Sequence, residues 1–357
     1  MVATRTIEEH ETILTVPSTL MLTIDSVPQT FTELFPKRTP IHRILAAFLT
    51  HGESYFLEKW NAWHSTWPSL QSFRDCMPIL WPEFLQSSKI FSKTKKKRIQ
   101  IAWECVLQQF PDTNWEIFCY NWLIINTRSF YYVTPGQDEP EDWNDAVGLV
   151  PIADYFNHAD DANCIAMFDQ QGYTIKTTRR IEEGEEAYIS YGSHPNDYLF
   201  VEYGFFLDHS QSDAIFLDDI VFQDLTAAEQ EELKLYDLYG NYKITKNGAC
   251  SRAKAAACIK FMDREKWRGH VLYNFTQGID AKKMAKILSV WVDLPLKESI
   301  KAIRALETLE TKDTSGYAED EQRVSAAAKV STVLKRWYHI RTLCEATLHS
   351  INILQDV

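Results

Sequence analysis

Cysteine is scarce and scattered. The seven, Cys76, Cys105, Cys119, Cys164, Cys250, Cys258 and Cys344, form no C-x-x-C pair and no Cys/His spacing suited to zinc. This excludes a disulfide-stapled mini-fold and a thiolate metal centre, and predicts reduced, mostly buried thiols with no bound metal. Long apolar runs are lacking as well: none approaches the roughly 18 residues needed to span a bilayer. The start, Met1 to Glu11, is charged rather than signal-like. A cytoplasmic or nuclear location is therefore expected. Positive charge is in deficit, 37 basic against 49 acidic residues for a net −12, which opposes broad attachment to nucleic acid or anionic membrane and favours a basic partner. No glycine-rich phosphate loop is present.

What is there is ample core material. At 357 residues, with 45% apolar residues and 11 Trp, 16 Tyr and 19 Phe, the chain exceeds what one hydrophobic core usually supports. The charge is uneven. Residues 1–207 carry −11 and residues 208–357 only −1. The densest acidic stretch, Asp138 to Asp145, opens at Pro135-Gly136 and reads as a solvated loop or as a rim attracting a cationic substrate.

Local patterns divide the chain in the same way. Thr12 to Ile24 is rich in β-branched residues and reads as strands broken at Pro17-Ser18. Ile41 to Phe118 turns helical, with Phe48, Phe56, Trp60, Trp63 and Trp103 as core anchors. Strand signals return at Leu149–Ala153, Tyr173–Thr178 and Ala187–Tyr191. After Leu207 helices dominate. Thr226 with Glu229 has capping-box spacing for a helix to about Leu238, and Asn247-Gly248 marks a turn. Ser251 can cap a helix through Phe261, and Asp280 another through Val292. From about Glu319 to Ile353, Val324, Ala327, Ala328, Val330, Leu334, Trp337, Ile340 and Leu343 repeat near 3.6 residues.

One internal echo stands out. Thr4-Arg5-Thr6-Ile7-Glu8-Glu9-His10-Glu11 matches Thr178-Arg179-Arg180-Ile181-Glu182-Glu183-Gly184-Glu185 at six of eight places. A shared turn between two strands explains it. If the place held by Gly184 needs positive φ, His10 bears a cost there of about 1 kcal/mol.

Three clusters carry the chemical interest. Thr127-Arg128-Ser129-Phe130-Tyr131-Tyr132 reads as an aromatic strand. Gly148 to His158 reads as a strand delivering Asp154, Asn157 and His158 at its end. Gly184 to Gly192 and Glu202 to Phe206 place Tyr191 and Tyr203 beside glycines. None is decisive alone. Taken in order, Arg-x-Phe, Asp-x-x-Asn-His, Gly-Glu-Glu-x-x-x-x-Tyr-Gly and Tyr-Gly-Phe resemble the SET-domain protein methyltransferases, and within them the branch typified by the Rubisco large-subunit lysine methyltransferase.

That resemblance implies an α+β fold: a β-rich SET core with a pseudoknot, split by a helical insertion and followed by an all-helical C-terminal domain. The division is 1–30 and 121–207 for the core, 31–120 for the insertion and 208–357 for substrate binding. The resemblance also implies S-adenosylmethionine as cofactor, held by Arg128, Asn157, His158 and Tyr191. Tyr191 is the tyrosine nearest the transferred methyl, and Phe130, Asp154 and Tyr203 line a lysine channel. The partner is then a non-histone protein offering an exposed or basic lysine segment, and a monomer is expected. A histidine target, or a non-catalytic interaction protein using residues 208–357, stays open. Family members carry a Gly-x-Gly element just ahead of the stretch matched by Val2 to Arg5. None precedes the first strand here, which predicts a pocket open on one side and a weakened cofactor affinity.

Overall fold

A computed structural model describes residues 1–86, 93–142, 145–312 and 320–356. Trp143 and Asn144 of the acidic stretch, Glu319 and the side chain of Val324 lie outside the described residues. The chain forms two compact units, Met1–Leu207 and Asp208–Val357.

The first unit contains strands β1 (Thr12–Pro17), β2 (Ser129–Tyr131), β3 (Val147–Leu149), β4 (Asn157–His158), β5 (Cys164–Asp169), β6 (Gly172–Thr177) and β7 (Tyr188–Ile189). They form three small sheets: β1-β6-β5, the antiparallel pair β2-β3, and β4 beside β7 in parallel. The β5–β6 turn is closed by Asp169, whose Oδ1 accepts from the Gln171 and Gly172 amides at 2.8 and 3.3 Å. Only glycine suits position 172, because φ is +138° and a Cβ there would lie 2.0 Å from the Val16 carbonyl oxygen. Alternate residues of β5 and β6 bury into a core with Val16, Phe156, Tyr173, Ile175, Ile181 and Ile189.

A second core lies among the helices between β1 and β2. The helix Trp115–Arg128 is capped by Asn114, which accepts from the Glu116 and Ile117 amides at 2.9 and 3.2 Å. It buries Phe118, Cys119 and 121–126, so it sits inside the layer rather than on it. The helix Ile41–His51 packs along it, and Phe48, Trp60, Trp63 and Phe73 belong to the same buried core. Phe56 is not an anchor: it is 38% exposed, on a single short turn, Ser54–Leu57.

Several element boundaries differ from the sequence reading. Arg128 ends a helix instead of opening a strand, and the strand expected over Leu149–Ala153 stops at Leu149. Pro151 and the positive φ of Ile152, 69°, end it. Asp154 therefore sits on the 3-10 turn Ala153–Tyr155, and Asn157 and His158 form a strand of their own.

The internal echo is a structural repeat. The copies pair with each other, Ile7 and Ile181 exchanging both backbone bonds at 2.9 and 3.0 Å. In each, the first glutamate amide donates to the fourth residue's carboxylate, Glu8 to Glu11 at 3.1 Å and Glu182 to Glu185 at 2.8 Å. His10 has φ 65° and Gly184 φ 86°, so the position does require the left-handed region.

The second unit keeps the α+β class but is not all-helical. Strands β8 (Ala214–Phe216), β9 (Lys243–Thr245) and β10 (Gly248–Ala249) form a sheet in the order β10-β9-β8. The Asn247-Gly248 turn joins β9 to β10, with Gly248 at φ 85°. The helix Ala227–Leu235 has the full Thr226/Glu229 capping box. Cys250 rather than Ser251 caps Ser251–Ile259, its Sγ accepting from the Ala253 amide at 3.4 Å. The helix after Asp280 runs well past Val292, through Pro295, to Lys312, and packs along Asp320–Asp356. Arg336, fully buried, pairs with Asp213 at 2.7 and 3.1 Å.

Two expectations follow. A Cβ at Gly184 meets nothing within 4 Å, so Gly184→Ala costs only the backbone strain, about 1–2 kcal/mol, while His10→Gly stabilises by up to about 1 kcal/mol; urea midpoints measure both. His42, buried against Trp122, is pushed down to about 3 by burial and then by Arg98 and Lys95. The unfolded imidazole titrates near 6.5, so below that pH the unfolded chain binds a proton the folded chain refuses, and stability falls as pH drops. The expected slope from this group is about 1.4 kcal/mol per pH unit, and His42→Leu flattens it in denaturant midpoints taken between about pH 6.5 and 5.

Candidate active site

Four stretches of the first unit meet at one cleft. The helix Trp115–Arg128 delivers Arg128 at its last residue, and β2 continues directly with Ser129, Phe130 and Tyr131. The 3-10 turn delivers Asp154. The residue before that turn, Ile152, is β-branched and held at φ 69°, a strained conformation of the kind concentrated at functional sites. Ser190 and Tyr191 follow β7. The helix Asn196–Tyr203 brings Tyr203, then ends on Gly204 in the left-handed conformation. A Cβ on Gly204 would approach the Cys76 carbonyl oxygen and Met77 Sδ to 2.9 Å, so this turn needs glycine twice over.

Arg128, Phe130, Asp154, Tyr173, Tyr191 and Tyr203 line the resulting cleft, of about 260 Å³. Its floor is an ion pair. Arg128 Nη1 donates to Asp154 Oδ2 at 2.8 Å and to the Asp154 carbonyl at 3.1 Å, while Trp63 Nε1 donates to Asp154 Oδ1 at 3.0 Å. The Asp154 carboxyl is fully buried. Burial pushes its pKa up, and the Arg128 guanidinium opposes that rise. Arg128 Nε and Ser129 Oγ are buried without a hydrogen-bond partner, so the cleft holds two unused polar groups.

Every polar group of Tyr191 is fixed. Its hydroxyl donates to the Phe156 carbonyl at 2.7 Å, its amide donates to His158 Nδ1 at 3.1 Å, and its carbonyl meets His194 Nε2 at 3.0 Å. Chemistry then assigns the tautomers. An N–H can only donate, so His158 Nδ1 is bare and its proton is on Nε2, 3.9 Å from Asp160 Oδ1. A carbonyl can only accept, so His194 Nε2 carries a hydrogen. Burial lowers both imidazoles and favours their neutral forms. Burial also pushes Tyr191 up to about 12 and Tyr203 higher, so both phenols stay protonated near neutral pH. The two rings lie 5.2 Å apart.

The cleft thus gathers Arg128, Phe130, Asp154, Tyr191 and Tyr203. His158 lies just behind, its ring stacked on Tyr191 at 5.2 Å. Asn157 does not line the cleft. It alternates to the other side of β4, where its amide donates to Glu186 Oε1 at 2.7 Å, and the Tyr188 hydroxyl takes the second oxygen at 2.8 Å. Sequence reading missed Trp63 as the partner of Asp154, and missed Tyr173, Phe156 and His194 altogether. Trp63 belongs to an aromatic stripe that also builds core, Tyr173 to an ordinary strand, and nothing local marks the other two.

The SET domain family model matches residues 1–192, more than half of the chain. The chain belongs to the SET-domain family. Over 146 residues it is 34% identical to Ribosomal lysine N-methyltransferase set11 of Schizosaccharomyces pombe, covering 41% of this chain and 37% of that protein. Ribosomal lysine N-methyltransferase 2 of Saccharomyces cerevisiae is 24% identical over 319 residues, 74% of this chain and 64% of that protein. SET domain-containing protein 4 of Homo sapiens is 25% identical over 235 residues, 59% and 52%. The chain therefore spans between about a third and two thirds of these curated relatives' lengths. A solved structure of Rubisco LSMT bound to AdoMet aligns over 99% of this chain and 86% of that one with TM-score 0.62 at 16% identity, which shows a shared fold. Of the cleft residues, Arg128, Phe130, Asp154 and Tyr191 fall inside the matched SET domain and Tyr203 just beyond it. Among the described residues no cluster of His, Cys, Asp or Glu is arranged to hold a metal, and no helix is long and apolar enough to cross a membrane.

The SET cleft's ion pair should respond to its two supports unequally. Trp63→Phe removes one donor from a buried carboxylate and should cost about 1–2 kcal/mol. Asp154→Asn strands the Arg128 charge and should cost more, about 3 kcal/mol. Guanidinium unfolding of both variants checks the order; equal losses would mean that the ion pair is not the floor of the site.

Proposed function

We propose that the chain is an S-adenosylmethionine-dependent protein-lysine N-methyltransferase acting on a non-histone protein. The observation that carries this is the convergence of Arg128, Tyr191 and Tyr203 on one aromatic-walled cleft in a chain of the SET family. The naming of two relatives as ribosomal lysine N-methyltransferases supports lysine as the target and a non-histone substrate. The cofactor suits the residues present. Arg128 Nε and Ser129 Oγ, on residues lining the cleft, await partners, and an acceptor-rich zwitterion supplies them.

We assign Arg128, His158 and Tyr191 to holding the cofactor, with Asn157 doing so from the Glu186 side of β4 rather than from the cleft, Phe130, Asp154 and Tyr203 to the lysine, and Tyr191 to the reacting centre. When bound, S-adenosylmethionine supplies a methyl group on a cationic sulfur. The chain has to present a neutral amine in line with it, a positioning problem. Tyr191, whose hydroxyl hydrogen is committed to Phe156, keeps oxygen lone pairs to accept from an amine N–H. Its phenol stays protonated, so it orients rather than acting as base. Phe130, Tyr173 and Tyr203 exclude water from the stem of the lysine, which disfavours the ammonium form.

The finer points are part of the same reading. Glu139, on the acidic stretch, neighbours Tyr131 and raises its pKa, and Tyr131 lines the cleft, so the rim suits a basic segment around the target lysine. Residues 1–30 and 121–207 form the core around the insertion 31–120, and 208–357 bind substrate. Free thiols at all seven cysteines suit a reducing compartment, cytoplasm or nucleus, and a monomer suffices.

Calorimetric titration with S-adenosylmethionine, then mass spectrometry of a cell extract labelled through its methyl group, tests the reading. Saturable binding and labelled lysine are expected. Tyr191→Phe should lower turnover about tenfold or more while costing only about 1 kcal/mol of stability; full turnover in that variant removes Tyr191 from the mechanism. Absence of both binding and label overturns the enzyme reading in favour of a protein-interaction module.

A further inference from the structure

Lys95, on the insertion helix Lys93–Leu107, is 1% exposed, a rare place for an ammonium without partners. Its Nζ donates to the carbonyls of Val201 at 2.8 Å and Glu202 at 3.0 Å and lies 3.4 Å from Glu202 Oε2. Those carbonyls belong to the last turn of the helix Asn196–Tyr203, the end that attracts cations. Arg98 donates to Glu202 Oε1 at 3.2 Å and to Asn126 Oδ1 at 2.9 Å. Asn126 Nδ2 returns to the Glu202 carbonyl at 2.9 Å and to its Oε2 at 3.2 Å, closing a ring of Glu202, Arg98 and Asn126 to which Lys95 is joined. Both cations lie over Trp122, Lys95 Nζ at 5.8 Å and the Arg98 guanidinium at 5.6 Å from its centroid.

The position of this ring is what matters. The Glu202 carbonyl is half of the peptide bond that enters Tyr203, and Asn126 lies two residues before Arg128 on the same helix. Two residues that line the cleft are thus held from behind by one charged cluster, and Gly204, on the far side of Tyr203, abuts Cys76 and Met77 of the same insertion. Burying a charge set of this kind adds little net stability, because desolvation offsets attraction, and apolar residues of similar volume would hold the helices together as well. What the charges add is direction. Hydrogen bonds to two named carbonyls fix the end of a helix along its axis, where an apolar contact lets it slide.

We propose that Lys95 and Glu202 are positioning residues for Tyr203, and that through them the insertion sets where that wall of the cleft stands. The consequence for turnover rests on the methyltransferase reading; the consequence for local order does not. The test separates stability from position by removing both charges together. Lys95→Met alone takes its donor from the Val201 carbonyl and leaves the buried Glu202 carboxylate, still held by Arg98 and Asn126, without its ammonium partner, and should be destabilised. Lys95→Met/Glu202→Leu removes the pair, and Arg98, 27% exposed, can turn its freed end to water. The double variant should recover most of the unfolding midpoint lost in the single one, bind S-adenosylmethionine within about twofold of the parent, and still turn over about tenfold more slowly. Amide hydrogen exchange over 202–206 should quicken by about tenfold. Parental exchange over 202–206 overturns the proposal whatever the activity, and parental turnover with a recovered midpoint does the same. A parent chain that transfers no methyl sinks the methyltransferase reading and leaves exchange to decide this one. Should the double variant fail to fold, Glu202→Gln, which keeps the shape and drops the charge, is read by the same exchange measurement: faster exchange is expected, and parental exchange overturns.

Discussion

Tyr191 is joined twice to the segment Phe156–His158, by its hydroxyl onto the Phe156 carbonyl and by its amide onto His158 Nδ1. Next to these bonds β4 and β7 run parallel, Asn157 beside Tyr188 and His158 beside Ile189. Parallel neighbours cannot be joined by a tight hairpin, so the chain must leave through β5 and β6 before returning. The rest of the first unit accommodates that detour. The β1-β6-β5 sheet fills it, the echoed turns clasp its outer edge, and the cleft opens where the returning segment passes Asp154. A neutral His158 is a condition of the arrangement, because a proton on Nδ1 would face the Tyr191 amide; the burial that lowers its pKa keeps that proton away.

The site is built largely of residues that hold other residues. Trp63 holds Asp154, Asp154 holds Arg128, His194 holds the Tyr191 carbonyl, and Lys95 holds the peptide before Tyr203. Trp63 and Lys95 come from the helices between β1 and β2. A lining assembled from four separate stretches has no single rigid element to fix it, so its precision depends on such supports. The strain at Ile152 belongs to the same logic: a β-branched residue stays at positive φ only where its surroundings over-determine the turn.

How far this could be read from the sequence depends on whether a signal is local. Arg128, Asp154, Tyr191 and Tyr203 stand in short ordered motifs, and the structure brings all four to one cleft. The Thr226/Glu229 box and the echo at His10 and Gly184 are also local, because a cap or a turn is decided within a few residues. Trp63, Tyr173 and Lys95 are illegible by that standard. An aromatic stripe, a strand tyrosine and a lysine in a basic run each look ordinary until a distant segment folds against them. Asn157 adjoins His158 in sequence, and strand alternation places its side chain on the other side of β4, against Glu186. The three-stranded sheet of the second unit was missed because strands of two and three residues carry too little periodicity to register.

On the proposed reading, the charge on the cleft floor decides which form of a lysine enters it. Asp154 is the carboxylate among the lining residues and Arg128 the cation beside it, 2.8 Å away. With that pair closed on itself, the floor offers little net negative field to stabilise an entering ammonium. Desolvation is then the larger effect. Bringing a lysine from a pKa of about 10.4 to near 7.4 takes about 4 kcal/mol, within the several kcal/mol that burying a single ion costs in a protein. An unpaired Asp154 would act in the opposite sense and hold the amine protonated. The Arg128–Asp154 bond therefore acts without touching a proton. By satisfying internally the acid among the described lining residues, it leaves the aromatic walls free to favour the neutral nucleophile.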